Sequence, residues 1–385
     1  MMLRKARRIL GKYIPALSPE WLDADTSGRT RAYVFGINAW KRKYIARCYP
    51  EFVMRFVRAR RVPWSVARNV SSGTPTVFIV WGYRVSESVV KFAELHGIPL
   101  YRMEDGFVRS VGLGAAHTLP RSLVLDRSGR LYFDATGPTD LERVCESYDF
   151  SADPNVLKEA QACLTLLTQE KISKYNHVAI RESPEQIFAQ LAPRIPGKKR
   201  ILVIGQVEDD ASLKQGSASH LSNFLAVQVA VAENPGAQVL FKPHPDDLGG
   251  HTKRRPKKST LEEIARIATV IAAPLSVPDA FGCVDHVYTL TSLAGFEALL
   301  RGKPVTVLGY PFYAGWGLTD DRQSNPRRTR KLTLLELFAA AYLIYPQYFD
   351  PQSGTRSSAR ETILAISRDR AALHTDTKLP NRKKL

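Results

Sequence analysis

Thr291 and Ser292 open a short helical pattern within YTLTSLAGFEALLRGKPVTVLGYPFYAGWGLT, residues 288–319. Capping hydroxyls and unpaired backbone N–H groups at such a helix start make an anion site suited to a nucleotide phosphate. Glu297 lies in the second turn of the same pattern, which ends at Arg301-Gly302. Upstream, the apolar run Val239-Leu240-Phe241 stops at Lys242-Pro243-His244-Pro245-Asp246 and presents Lys242 and His244 just beyond a strand end. Arg200-Ile201-Leu202-Val203-Ile204 runs into Gly205-Gln206-Val207-Glu208-Asp209-Asp210-Ala211-Ser212, a polar turn rich in carboxylates. Earlier still, Ile98–Met103 leads to Glu104-Asp105-Gly106-Phe107-Val108-Arg109-Ser110. Open α/β sheets bind ligands outside the carboxyl ends of their strands, so these groups are expected to converge on one cleft.

The elements that must position them follow from apolar runs and breakers. Residues 32–37, 76–81, 98–102 and 123–125 read as strands, with helices expected near 50–60 and 87–96. Helical patterns at 155–174 and 184–191 lead to Pro193-Arg194-Ile195-Pro196-Gly197-Lys198-Lys199, whose composition predicts a linker. Strands at 200–204, 238–242, 269–271, 286–289 and 304–308 then alternate with helices near 218–233, 260–267, 293–301 and 333–343, as parallel βαβ units do. The expected organisation is α/β, with two Rossmann-like halves facing a cleft. An N-terminal half spans 1–195, a C-terminal α/β half spans 196–375, and a basic tail covers 376–385.

Taken in order, Trp40-Lys41-Arg42, EDGFVRSVGLG (104–114), YFDATGPTDLE (132–142), SKYN (173–176), GQVEDDAS (205–212), KPHPD (242–246) and the 288–319 segment resemble the capsule polysaccharide biosynthesis proteins of the KpsC/LipA type. The resemblance implies a GT-B-like fold. It also implies a retaining β-glycosyltransferase that takes 3-deoxy-D-manno-oct-2-ulosonic acid (Kdo) from CMP-Kdo. Many relatives carry two such modules, whereas this chain has one, resembling the second. By place in the motif, Asp210 is the expected nucleophile of a double displacement, with Asp209 as the alternate. An acidic cluster capping a helix is the competing reading of the same residues. Glu104 or Asp105 is the expected general base toward the acceptor. Lys242 and His244 are expected to meet the donor phosphate, with His244 assisting CMP departure, while Thr291 and Ser292 hold that phosphate from the other side. Glu297 resembles the family carboxylate that meets the ribose hydroxyls. The sugar's own carboxylate needs a cation. Arg109 is a candidate that could equally neutralise Asp105, and Arg84 and Lys214 are alternatives.

No cofactor or metal is expected, because CMP-Kdo carries a single phosphodiester and no DxD stands at a convincing strand end. Asp209-Asp210 and Asp246-Asp247 are only adjacent pairs. The chain has 385 residues, 44% hydrophobic, enough for two cores. Cys48, Cys145, Cys163 and Cys283 follow neither a metal nor a disulfide spacing and are expected to be reduced, buried thiols. The basic start, Arg4 to Lys12, is interrupted by Lys12 and Pro15 before a signal peptide could form, and no apolar run reaches the roughly 20 residues of a membrane span. A cytoplasmic protein, peripheral on the inner membrane through that start, is expected. The net charge of +18 also suits nucleic acid, but no helix-turn-helix, RNP or zinc-finger signature directs it there. The expected partners are CMP-Kdo, a glycan or glycolipid acceptor, the inner-membrane surface and capsule assembly proteins. The alternatives in view are transfer of another CMP-activated nonulosonic acid and a non-catalytic assembly or export scaffold.

Overall fold

The computed structural model describes residues 29–58, 61–70, 75–112, 117–174, 176, 183–244, 258–273 and 275–376. The basic start Arg4–Lys12, the Asp246-Asp247 pair and the tail beyond 376 lie outside them.

Two sheets carry the molecule. In the first, β1 (Thr30–Phe35), β2 (Phe52–Val57), β3 (Thr76–Trp81) and β4 (Leu100–Asp105) run parallel, and β5 (Ser122–Asp126) pairs antiparallel to β4. Helices α1 (Ala39–Cys48), α2 (Trp64–Val70) and α3 (Glu87–Leu95) follow β1, β2 and β3. The helix expected at 50–60 is therefore wrong, because its centre is β2. Phe52, Val53, Phe56 and Val57 suit a pleated surface, and all six strand residues pair in register with β1. Neighbouring-strand pairing outweighed a helical reading of a short, mixed segment.

Helices α4 (Asp140–Ser147), α5 (Pro154–Gln169) and α6 (Pro184–Leu191) lead to the second sheet. Its strands are β6 (Arg200–Ile204), β7 (Gln238–Lys242), β8 (Thr269–Val270), β9 (His286–Thr289), β10 (Val305–Val307) and β11 (Asp320–Asp321). All pair in parallel, in the order β11-β10-β9-β6-β7-β8. The connecting helices are α7 (Ala211–Gln215), α8 (Asn223–Glu233), α9 (Lys258–Ala265), α10 (Val277–Gly282) and α11 (Leu293–Leu299).

The chain then returns. A Thr333/Glu336 capping box starts α12 (Leu334–Ala339), which runs on into a π-helical turn at Ala340–Ile344. Beyond it, β12 (Gln347–Phe349) pairs with β5, and β13 (Arg356–Ser357) with β12. The last two strands thus extend the first sheet, although they fall within the segment 196–375 that the sequence reading gave to the other half. Helix α13 (Ala359–Asp376) closes the chain by packing on α5.

Burial explains why the halves hold together. One core contains Phe107 and Val124 from the first half with Leu202, Val287, Phe296, Phe312 and Tyr342 from the rest. Phe107 lies 5.0 Å from Phe312 and 5.5 Å from Tyr342 between ring centroids, so aromatic contacts cross behind the cleft. Glu142 on α4 receives Arg327 at 2.6 Å and Arg328 at 3.1 Å from the loop after β11, a buried clamp between halves. All four cysteines are buried and free. No helix among the described residues is long and apolar enough to cross a membrane.

Candidate active site

On the first sheet the site is built at the end of β4. Asp105 is held between two cations, Lys41 Nζ at 3.0 Å and Arg109 Nε at 2.6 Å. Burial alone would raise its pKa, but Lys41 and Arg109 hold it below the usual carboxylate range. Gly106 follows because a Cβ there would stand 2.4 Å from Ser122 Oγ, so only glycine lets the turn lie flush on β5. Glu104 is partly buried beside Gly82 and accepts the Asp105 backbone N–H at 3.0 Å. Burial, and then the Asp105 charge, raise the Glu104 pKa, against the pull of Lys174 and Lys41. The two adjacent carboxylates are thereby driven apart, Asp105 downward and Glu104 upward.

Arg109 is fully buried. Besides Asp105 it donates to Ser110 Oγ (2.6 Å), the Gly112 carbonyl (3.2 Å) and the Thr118 carbonyl (2.8 Å). This is the ion-pair alternative, and it conflicts with Arg109 as receptor for a substrate carboxylate. Of the other cations considered, Arg84 is exposed just past β3 and has no carboxylate partner among the described residues, while Lys214 stands 3.7 Å from Asp209.

On the second sheet the ends of β6, β7 and β9 meet. Gly205 donates to the Lys242 carbonyl at 2.8 Å, and a Cβ on it would sit 2.9 Å from that oxygen. Gln206 and Asn223 exchange hydrogen bonds, each 2.9 Å, which fixes the turn to the start of α8. The Gln206 amide donates to Ser212 Oγ (2.7 Å) and Thr291 Oγ1 (3.0 Å). Ser212 Oγ in turn donates to Asp210 Oδ1 at 2.6 Å, so Asp210, Ser212, Gln206 and Thr291 form one chain. Asp210 is exposed and caps α7 by accepting the Ser212 N–H at 2.8 Å. The capping alternative for this acidic turn is thus present in the structure, with Asp210 Oδ1 as the capping atom.

Lys242 is 4% exposed, and no carboxylate pairs with it among the described residues. Burial pulls its pKa down to about 8. Burying such a cation with no counter-charge among the described residues is costly. His244 follows two residues later, partly buried. Ser292 caps α11 through the Ala294 N–H and accepts the Tyr313 hydroxyl on its carbonyl. Glu297 is buried on α11 with a raised pKa caused by that burial, and it accepts the Lys174 backbone N–H at 3.1 Å.

Lys174, in SKYN, connects the two sides. Its backbone holds Glu297 while its positive charge acts on both Glu104 and Glu297. Lys41, Lys174, Gln206 and Asn223 were not singled out from sequence. Lys41, Lys174 and Gln206 stand inside motifs that carry the family resemblance but give them no role, and nothing in the chain order tells which groups they meet. A shallow groove of about 720 Å³, lined by Leu157, Gln161, Thr165, Leu335 and Arg360 among others, lies against α5, away from these strand ends.

Two α/β halves, with Lys242 buried at a strand end of one and Glu104 at a strand end of the other, define a GT-B-like protein. The sequence profile described as "Capsule polysaccharide biosynthesis protein" matches residues 76–348, and the chain belongs to that family. It is 41% identical to the lipopolysaccharide-processing protein LpsZ of Rhizobium meliloti, over 87% of this chain and 73% of LpsZ. It is 37% identical to the capsule polysaccharide modification protein LipA of Neisseria meningitidis serogroup B, over 84% of this chain but 44% of LipA. Two solved structures are similar in three dimensions. The beta Kdo 2,4 transferase of Thermosulfurimonas dismutans KpsC has a TM-score of 0.71 at 31% identity, covering 88% of this chain and 98% of that one. The beta Kdo 2,7 transferase of the same KpsC has a TM-score of 0.67 at 33% identity, covering 88% and 99%.

Proposed function

We propose that this chain is a retaining β-Kdo glycosyltransferase that uses CMP-Kdo to extend a capsule or related surface-glycan acceptor. The observation that carries the reading is the match to two solved Kdo transferases over nearly their whole length, with TM-scores of 0.71 and 0.67. In this reading Lys242, His244 and the turn at Thr291-Ser292 receive the phosphate of CMP, and the burial of Lys242 with no carboxylate partner among the described residues supports it. Asp210 attacks the anomeric carbon opposite CMP, forming a glycosyl ester as the C–O bond to phosphate breaks and CMP leaves with the electron pair. Glu104 then takes the proton of the acceptor hydroxyl, whose oxygen displaces Asp210 and restores the configuration. Asp105 serves as the fixed negative charge beside that base, and Arg84 replaces Arg109 as the receptor for the Kdo carboxylate. Glu297 faces the nucleoside. Work on a lipid-linked acceptor places the protein at the cytoplasmic surface of the inner membrane, with the basic start as one contact.

The test is incubation of purified protein with CMP-Kdo and glycan or glycolipid acceptors. CMP release with a β-linked product by NMR is expected. An α-linked product refutes retention, and CMP binding without turnover on any acceptor points to the scaffold reading. Competition with other CMP-nonulosonic acids separates the Kdo assignment from its closest chemical alternative.

A further inference from the structure

β1 and β2 form one edge of the first sheet, with β2 outermost. Tyr33 lies opposite Arg55 in their register, and Arg31 stands two residues before Tyr33, so the period of two puts all three on one face. It is the face covered by α2 and α3, because Tyr33, Phe35 and Val57 pack there with Val66 and Val89. A helix-covered face is built for apolar side chains, yet this one holds two arginines. Arg31 is 8% exposed, Arg55 7% and Tyr33 1%. Arg31 Nε and the Tyr33 hydroxyl are buried with no hydrogen-bond partner among the described residues, and no carboxylate there pairs with Arg31. Just before β1, exposed Arg29 adds a third guanidinium at this end of the strand and donates to the Pro50 carbonyl at 3.2 Å.

Buried donors in folded proteins almost always have acceptors, and a buried cation without one is costly. The acceptor that suits this face must offer several oxygens, because Arg31 brings the donors of a whole guanidinium and Tyr33 a hydroxyl. It must also be anionic, and two buried guanidiniums balance a dianion better than a single carboxylate. Guanidinium pairs with phosphate through parallel donors, whereas so little exposure suits a small anion and not a chain of sugars. We propose that Arg31, Tyr33 and Arg55 form a binding site for a phosphate dianion, inorganic phosphate or a phosphomonoester headgroup. The site is separate from the one described above. Lys242 belongs to the other sheet, and Glu104 lies about six residues further along the strand registers, roughly 20 Å toward their carboxyl ends. The inference therefore stands independently of the transferase reading. The competing role is a brace, in which the arginine stems merely fill space beneath α2.

The test uses the full chain carrying Lys242→Met, so that phosphate does not register at the proposed CMP site. Calorimetry at constant ionic strength should show saturable binding of inorganic phosphate and weaker binding of acetate, and the unfolding temperature should rise with phosphate concentration. Adding Arg31→Met should lower phosphate affinity by roughly tenfold or more, the scale of charge-assisted hydrogen bonds. Adding Tyr33→Phe removes one hydroxyl and should lower it about fivefold. In phosphate-free buffer that variant should unfold at or above the parent temperature, since its hydroxyl has no partner to lose. Vesicles of phosphatidic acid and of phosphatidylglycerol identify the source. Co-sedimentation that favours phosphatidic acid and falls with Arg31→Met assigns a lipid headgroup, while vesicle binding indifferent to Arg31 with phosphate affinity lost assigns the free anion. A parent chain that binds neither phosphate nor phosphatidic acid, affinities unchanged in both variants, or acetate bound as tightly as phosphate overturns the site. Should Arg31→Met fail to fold, Tyr33→Phe decides alone.

Discussion

At the scale of single residues, the two neighbouring carboxylates Glu104 and Asp105 have opposite electrostatic fates. Asp105→Asn leaves Lys41 and Arg109 buried without their counter-charge, and breaking such pairs costs about 3–5 kcal/mol. Glu104→Gln should keep the melting temperature near wild type yet lower transfer by about 10²–10⁴-fold, the range of general-base catalysis. Thermal unfolding and initial rates on the two variants separate the roles, and a fully active Glu104→Gln removes the base assignment. The pH profile gives a second readout. Because the Glu104 pKa is raised, activity should fall as pH drops through a value above the ordinary glutamate range.

Lys242 carries a prediction of opposite sign. Its folded pKa of about 8 is below the unfolded value, so between about pH 8 and 10.5 the unfolded chain holds a proton that the folded one has lost. Stability should therefore rise with pH across that window, and Lys242→Met should stabilise the protein at neutral pH by up to ~3 kcal/mol. The phosphate of CMP needs the charged form. CMP affinity, measured by calorimetry, should be flat below about pH 8 and then weaken by up to tenfold per pH unit, with no such break in Lys242→Met. A wild-type profile without the break argues that Lys242 does not meet the phosphate.

At the scale of elements, the turn between β6 and α7 joins capping to the proposed chemistry. Asparagine caps a helix about as well as aspartate, so Asp210→Asn should leave stability nearly unchanged, whereas Asp210→Ala should cost about 1 kcal/mol. A nucleophile has no such substitute. Donor alone should give a protein adduct of one Kdo unit, mapped by peptide mass spectrometry to residues 205–214, and Asp210→Asn should abolish it. An adduct that persists in that variant moves the role to Asp209. No adduct in any variant, together with a β-linked product, favours a front-face mechanism.

At the scale of the whole molecule, the halves are joined by a common aromatic core, by the return of β12, β13 and α13, and by the Glu142 clamp. Arg328 is buried and also donates to the Pro311 and Ala314 carbonyls, so it cannot follow solvent when its partner is removed. Glu142→Ala should lower unfolding stability by about 3–5 kcal/mol. Restoring part of it with Arg328→Met in the double variant would identify the uncompensated charge as the cause. Equal stabilities for wild type and Glu142→Ala would mean that the clamp contributes nothing net.

The sequence by itself determined the periodic elements and the motifs. Apolar runs such as 76–81, 200–204 and 238–242 are strands because nearly every residue in them is buried, and such runs read the same in one dimension as in three. It also placed Glu104, Asp210, Lys242 and Thr291 at strand ends, since a strand followed by a polar turn is a local pattern. Tertiary structure alone decided what these groups touch. Phe52–Val57 became an edge strand because β1 offered it a ladder, and strand propensity depends on such neighbours. Arg109 turned inward because Asp105, four residues earlier, and the carbonyls of Gly112 and Thr118 took up its donors. Lys174 joined Glu297, 123 residues away, and β12 crossed back to β5. Partners so distant along the chain leave no spacing signal, because they are selected by packing and charge after the chain has closed on itself.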